Sequence, residues 1–219
     1  IAQEIRRCFP QVSTVASSDG LDKARVLSGK GVLNERLADF EFAISPTAFF
    51  QVNTVMAEVL LQKVMEYGMP TAGDTVIDAY CGIGTFSLPL AAKAGKVIGI
   101  EQNPAAVRDA RRNAAANEIN NVEFISGDVE KVLTHIAPSL EDIDLLVVDP
   151  PRKGLTPAIL QSIVKIKPRR MVYVSCNPGT LARDLSSLVT NGYGIKEVQP
   201  VDMFPHTAHV ECVVLMTRV

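Results

Sequence analysis

The chain lacks paired cysteines. Its 4 cysteines, Cys8, Cys81, Cys176 and Cys212, stand far apart, and none forms a CxxC pair. That spacing argues against a disulfide framework, a zinc site or an iron–sulfur cluster, and fits a reducing cytoplasm. Histidine is scarce, with 3 residues. His206 and His209 have no cysteine or carboxylate at ligand spacing, so no metal is expected and both are read as ordering their loop by hydrogen bonds. Positive charge is not in excess, the formal net charge being −2. That excludes nucleic-acid binding through overall basicity and confines any RNA contact to a local patch. No apolar run approaches the ~20 residues of a membrane helix, and no signal-peptide pattern is present. Neither a membrane nor a protein partner is expected. There is no internal repeat and no low-complexity segment. The chain begins with Ile1 rather than methionine, which suggests a piece of a longer protein.

What remains is an ordinary globular composition: 219 residues, 47% hydrophobic and 21% charged. This is enough for one sizeable core and a small appendage. Residues 1–50 read as a small β-rich lobe. Arg25-Val26-Leu27, Gly31-Val32-Leu33 and Phe40–Ile44 have strand character, broken by Gly29, Gly31 and the polar Asn34-Glu35-Arg36. A helix is predicted from Asn53 to Tyr67, with Val52, Val55, Met56, Val59, Leu60, Val64 and Tyr67 on one apolar stripe and Gly68 as its stop. Strand patterns then alternate with helical ones at Thr75–Ala79, Val97–Glu101, Val122–Ser126, Asp144–Asp149 and Met171–Cys176. One intervening helix spans Pro104–Glu118, capped by Asn103. Ile195–Val201 and Glu211–Thr217 follow with no helix between them. The pattern predicts an α/β fold over residues 51–219, with a mostly parallel sheet and an antiparallel last strand.

Thr75–Ala79 runs into Tyr80-Cys81-Gly82-Ile83-Gly84-Thr85-Phe86, a glycine turn opening a helix. Gly82 and Gly84 let the backbone pass close beneath a ligand. Glu101 ends the next strand 23 residues after Asp78, the position for a carboxylate that grips ribose hydroxyls. A dinucleotide would need a third glycine where Ser87 stands. Asp78 would repel a pyrophosphate but suits a ligand carrying amine and sulfonium charge. Both points favour S-adenosylmethionine over NAD. Asp128 either reaches an adenine amine or caps a helix.

Three stretches bear on the chemistry. Val148-Asp149-Pro150-Pro151-Arg152 fixes the Asp149 carboxylate at the sheet edge by two prolines, although a plain turn aspartate is the alternative. Cys176 ends a buried apolar strand and is followed by Asn177-Pro178-Gly179, a helix start. There it is carried to the carboxyl edge, and the helix start should favour its thiolate. The alternative is a cysteine serving as a small buried hydrophobe. Glu211 opens an apolar strand, so partial burial should raise its pKa and suit it to proton transfer, unless it faces solvent as an edge glutamate.

Taken in order, Ile44-Ser45-Pro46 through Phe49-Phe50-Gln51-Val52-Asn53, Asp78-Ala79-Tyr80-Cys81-Gly82-Ile83-Gly84, Asp149-Pro150-Pro151-Arg152, Ser175-Cys176-Asn177-Pro178 and Asp202-Met203-Phe204-Pro205-His206 through Glu211 resemble the catalytic region of the RNA uracil-C5 methyltransferase family. These enzymes make 5-methyluridine in ribosomal and transfer RNA. The resemblance spans roughly residues 44–219. It implies a Rossmann-like class I S-adenosylmethionine-dependent methyltransferase fold, Cys176 as nucleophile, Glu211 as base, and Gln51, Tyr80, Glu101 and Asp149 as cofactor contacts. It also implies an RNA substrate. The Asp202–Thr207 stretch looks most like the 23S ribosomal RNA members, which favours ribosomal over transfer RNA. The N-terminal oligonucleotide-binding barrel and the four-cysteine cluster common in the family are not visible in this stretch.

Phe50, Phe204 or Pro205 are candidates to stack on a base. Arg152, Lys153, Arg169, Arg170 and Arg183 are candidates to meet phosphates, with a solvated surface role as the alternative. An amino-group methyltransferase is disfavoured because Arg152 replaces the stacking aromatic after Asp149-Pro150-Pro151. A cytosine-C5 enzyme would place its cysteine beside those prolines. A non-catalytic RNA- or cofactor-binding module stays open.

Overall fold

The computed structural model describes residues 1–19, 24–140 and 142–219. The N-terminal region holds helix α1 (Ala2–Cys8), the antiparallel pair β1 (Thr14–Ser18) and β2 (Ala24–Gly29), and the antiparallel pair β3 (Leu33–Leu37) and β4 (Phe40–Ile44). Asn34-Glu35-Arg36, expected as a break, lies in the middle of β3. There it pairs residue by residue with Ala43, Phe42 and Glu41. A two-stranded ribbon with one wet face accepts polar residues, so pairing overrides local character.

Helix α2 (Thr54–Gly68) begins where Asn53 Oδ1 accepts from Met56 N. Its buried side is Ala57, Leu60, Leu61, Val64 and Tyr67. Val52 and Val55, expected on the apolar stripe, are exposed instead. Gly68 is the last helical residue rather than the stop, and Met69 takes the left-handed cap conformation. A Cβ on Gly68 would come within 2.8 Å of Leu145 Cδ2, so close packing is what calls for glycine there. Truncating Leu60, fully buried, would cost about 2–5 kcal/mol.

The alternating region follows: β5 (Thr75–Ala79), α3 (Ser87–Ala91), β6 (Lys96–Glu101), α4 (Pro104–Ala116), β7 (Val122–Ser126), α5 (Val129–Ile136), a 3-10 turn at Ala137–Ser139, β8 (Leu145–Val148), α6 (Pro157–Ile166), β9 (Arg170–Ser175), α7 (Pro178–Thr190), β10 (Tyr193–Val201) and β11 (Glu211–Arg218). The 7-stranded sheet has the order β10-β11-β9-β8-β5-β6-β7. Strands β5 to β9 pair in parallel, and β11 inserts antiparallel between β9 and β10.

Successive strand residues serve opposite faces. Val76, Val147, Val172 and Val174 join a core with α2, α3 and α4, which also takes Leu37, Phe42 and Ile44 of the N-terminal hairpin. Ile77, Leu146, Val148 and Tyr173 join another with α5, α6 and α7. The chain leaves β5 toward β6 and β7, then returns to β8 on the other side of β5. That reversal opens a crevice beyond the strands' carboxyl ends, where open α/β sheets bind ligands. Among the described residues, no helix is long and apolar enough to cross a membrane.

Candidate active site

The turn after β5 is tightly curled. Tyr80, Gly82 and Gly84 all have positive φ, at 70°, 55° and 90°. Tyr80 is a bulky residue held in the left-handed region, a costly conformation that marks functional sites and has no sequence signal. Both Tyr80 N and Cys81 N donate to Ile100 O, which fastens the turn to β6. Glu101 then braces it. Its Oε2 accepts from Gly82 N at 3.1 Å and its Oε1 from Asn103 N at 2.7 Å. Phe49, Phe50 and Gln51 form the opposite wall of a cleft whose near wall is Tyr80, Cys81, Gly82, Thr85, Phe86 and Asp149. A Cβ on Gly82 would meet nothing within 4 Å, so the backbone there borders open space, as a cradle requires. Asp128 is exposed and caps α5 by accepting from Lys131 N at 3.1 Å. Its charge reaches Tyr80, whose hydroxyl is pushed well up, chiefly by burial.

Cys176 lies one residue beyond β9, and Glu211 opens β11. The antiparallel register ends with Ser175 paired to Cys212, so Cys176 and Glu211 are the next residues outward, and the Glu211 charge reaches the sulfur. Alternation puts both on the α2 side, with Val174 and Val213. Asp78 and Asp149 follow Val76 and Val147 by two residues and share that side. Arg152, Cys176, Asn177, Pro178, Ala208, His209 and Val210 line a small pocket around the sulfur.

Charges in this corner repel one another. Burial pushes the Cys176 thiol up, the Glu211 and Asp149 charges push it further, and Arg152 pulls the other way. The sequence suggested the opposite, a thiolate favoured by α7. The free N–H groups at that helix start are taken by its own cap: Asn177 Oδ1 accepts from Gly179 N and Thr180 N. Glu211 is 5% exposed and raised by burial against Arg152. Asp149, half-buried, is raised well above the usual range by burial and then by Glu211 and Asp78. Asp78 is fully buried beneath the turn and pushed up to about 7, chiefly by burial. Its Oδ2 accepts from Ser87 Oγ at 2.5 Å, whereas Oδ1 has no partner. So Ser87, where a dinucleotide fold would have glycine, holds this acid in place. A buried group of acids that positive charge would relieve, next to an open glycine turn braced by the Glu101 carboxylate, fits a ligand that carries a cation.

A sequence model described as tRNA (Uracil-5-)-methyltransferase matches residues 21–219. The chain belongs to that family. An uncharacterized RNA methyltransferase of Bacillus cereus is 49% identical over 227 residues, covering 100% of this chain and 49% of the relative. One from Oceanobacillus iheyensis is 48% identical over 225 residues, covering 99% and 49%. The chain thus spans about half the length of the curated relatives it matches. Among solved structures, the Pyrococcus abyssi tRNA (uracil-54, C5)-methyltransferase in complex with S-adenosyl-L-homocysteine aligns with a TM-score of 0.78 at 35% identity, over 94% of this chain and 51% of that one. The M. jannaschii tRNA m1G37 methyltransferase, at 13% identity and a TM-score of 0.69 over 99% and 66%, shares the fold. The fold is the Rossmann-like class I S-adenosylmethionine-dependent methyltransferase arrangement.

Other residues of this tRNA (Uracil-5-)-methyltransferase family member are placed differently from the sequence reading. Arg169 pairs with Asp142 and Asp144, and Arg170 with Asp74. Both sit at the start of β9, a strand's length of about 20 Å from the carboxyl edge. Arg183 is engaged too. It donates from Nε to Asp184 and from Nη2 to the carbonyls of Lys153 and Leu155. Asp184 escaped notice in the sequence, being one polar residue in an amphipathic helix. It is fully buried and accepts from Leu155 N at 2.8 Å and Tyr173 Oη at 2.7 Å, fastening the segment after Asp149-Pro150-Pro151 to α7. Arg152 stays exposed, with Nη2 3.5 Å from His209 Nε2, and the His209 ring meets Phe204 edge-on. Phe50 packs on Phe42, while Phe49 is exposed at the rim.

Proposed function

We propose that this chain carries the catalytic region of an enzyme that methylates carbon 5 of a uridine in RNA, using S-adenosylmethionine as methyl donor. The observation that carries the reading is Cys176 within electrostatic reach of both Glu211 and Asp149, the latter lining the cleft. Gln51, Tyr80, Gly82, Glu101 and Asp149 hold the donor, with Glu101 at the ribose, Asp128 toward the adenine and Asp78 bracing the turn from below. Residues 51–219 are the catalytic domain. Residues 1–50 belong to a small β-rich lobe. The place of action we propose is the cytoplasm, from the scattered cysteines of the sequence.

Carbon 5 of uracil is a poor nucleophile. The Cys176 thiolate, favoured by Arg152, adds to carbon 6. A sulfur–carbon bond forms, and the electron pair of the C5–C6 double bond shifts toward carbon 5 and the adjacent carbonyl. When bound, the donor supplies a transferable methyl group on a positive sulfonium. Carbon 5 must then lose its proton. Glu211 takes it, the freed pair restores the C5–C6 double bond, and the sulfur departs as thiolate. The base has to leave its stack to reach the pocket at Arg152 and Cys176.

RNA carrying 5-fluorouridine tests the reading, because carbon 5 then has no proton to give. The intact protein should form a denaturation-resistant adduct, and Cys176→Ala should form none. Absence of an adduct on every cellular RNA fraction would leave a non-catalytic binding module. For the substrate we favour ribosomal RNA, from the likeness of Asp202–Thr207 to large-subunit enzymes. The name of the P. abyssi relative supports transfer RNA as the second reading. Mass spectrometry of RNA fractions from cells lacking the gene separates them by the fraction that loses 5-methyluridine.

A further inference from the structure

Strand β4 has β3 on one side and a helix on the other. Along that second edge, Glu41 N donates to Asn117 Oδ1, Ala43 N to Asn113 Oδ1 and Ser45 N to Asp109 Oδ2, at 2.9, 2.9 and 2.7 Å. Asn117 Nδ2 returns a bond to Glu41 O at 2.8 Å, and Ser45 Oγ donates to Asp109 Oδ1 at 2.9 Å. The geometry suits the match. Residues four apart on a helix share a face at steps of about 6 Å, and alternate strand residues are about 6.6 Å apart. The side chains of α4 therefore stand in for a neighbouring strand. Asp109 and Asn113 are buried at 2% and 1% exposure, so each bond replaces an otherwise unmet polar group.

The same helix and its cap are also tied to the segments that carry both walls of the cleft. Asn113 Nδ2 donates to Ile83 O in the glycine turn at 3.2 Å. Asn103, which caps α4, donates from Nδ2 to Thr47 O at 3.2 Å, on the segment leading to Phe49-Phe50-Gln51. Its own N–H goes to Glu101. We propose that Asn103 and Asn113 are positioning residues. They set the distance between the Phe49–Gln51 wall and the glycine turn, and so the fit of the cleft to a nucleoside-bearing methyl donor. This rests on the reading of the cleft given above.

Asn103→Ser isolates one arm. Serine still caps the helix, and the main-chain bond to Glu101 survives, but the tether to Thr47 is lost. Asn113→Asp keeps the acceptor for Ala43 N and loses the donor to Ile83 O. In the intact, unliganded protein, amide exchange should quicken at residues 47–51 in the first variant and at 82–85 in the second. The S-adenosylhomocysteine dissociation constant, measured by calorimetry, should rise about fivefold in each, as expected for one lost hydrogen bond. The melting temperature of Asn103→Ser should stay near wild type. If Asn113→Asp fails to fold, Asn103→Ser decides alone. Wild-type exchange at residues 47–51, or a weakened affinity accompanied by faster exchange throughout the chain, would overturn the proposal. A wild-type protein that binds no S-adenosylhomocysteine would instead sink the cofactor reading, and the exchange pattern alone would then judge the clamp.

Discussion

Glu211 and Cys176 lie one residue beyond the last pair of the β11–β9 ladder, Cys212 with Ser175, close enough for the carboxylate to act on the thiol. The backbone ladder thus brings together two groups far apart in the chain. Glu211→Gln keeps the shape and removes the carboxylate proposed as base. Addition to carbon 6 should survive and proton removal should not. A covalent protein–RNA complex should accumulate on ordinary RNA, visible on a denaturing gel, with turnover reduced at least ~100-fold. Rapid turnover without a trapped complex would remove Glu211 from the base role.

The two glycines of the turn after β5 should respond differently to alanine. At Gly84, φ is 90° and a Cβ would sit 2.6 Å from Leu88 Cδ1. Strain and collision should combine to lower stability by about 1–3 kcal/mol. At Gly82, φ is 55° but the Cβ meets open space. Gly82→Ala should cost only about 1 kcal/mol of stability while weakening S-adenosylhomocysteine binding. Thermal melting with and without that ligand distinguishes the two effects.

The strands were readable because parallel strands buried on both faces are continuous apolar runs. Val122–Ser126 and Thr75–Ala79 came through with their observed limits. The ends of β8 and β9 did not. Asp149 and Cys176 continue the apolar pattern but leave the ladder to enter the crevice. Side-chain direction was harder still. Val55 has helical spacing, yet what covers each face of α2 is decided by β8, β9 and β11. The positions of Cys176, Glu211 and the glycine turn followed from strand ends. The clamp on α4 did not, because Asp109, Asn113 and Asn117 look like any polar face until β4 is laid along them. The direction of the Cys176 shift also lay outside the sequence, since it depends on neighbours brought in by β8 and β11.

Asp78 should make stability fall as pH rises. Its pKa is raised from 3.8 to about 7 in the folded protein. Between those values the folded state holds a proton that the unfolded chain releases. The stabilisation is complete below about pH 4 and is lost as pH climbs through 7. Asp78→Asn has no such proton. Its melting temperature should decline less than that of wild type between pH 5 and 7.5, by about 2–4 °C for each kcal/mol of linkage removed. Some slope will remain, because Asp149 is shifted in the same direction. Parallel curves for the two proteins would show that Asp78 is ionised when folded.

The sulfur reports directly on its neighbours. The thiol is raised above its ordinary 9.0, by burial and then by Glu211 and Asp149, and lowered by Arg152. Removing a negative neighbour makes the thiolate easier to form, and removing the positive one makes it harder. Alkylation of Cys176 by iodoacetamide, followed by mass spectrometry of its peptide as a function of pH, should therefore order three proteins. Glu211→Gln should react at the lowest pH, wild type at a midpoint above 9, and Arg152→Gln at the highest. A thiol governed by the start of α7 would give a midpoint below 9 in wild type, with little response to either substitution. That result would reverse the electrostatic account of this corner, and it would mean that the Asn177 cap leaves the N–H groups of α7 free to act on the sulfur.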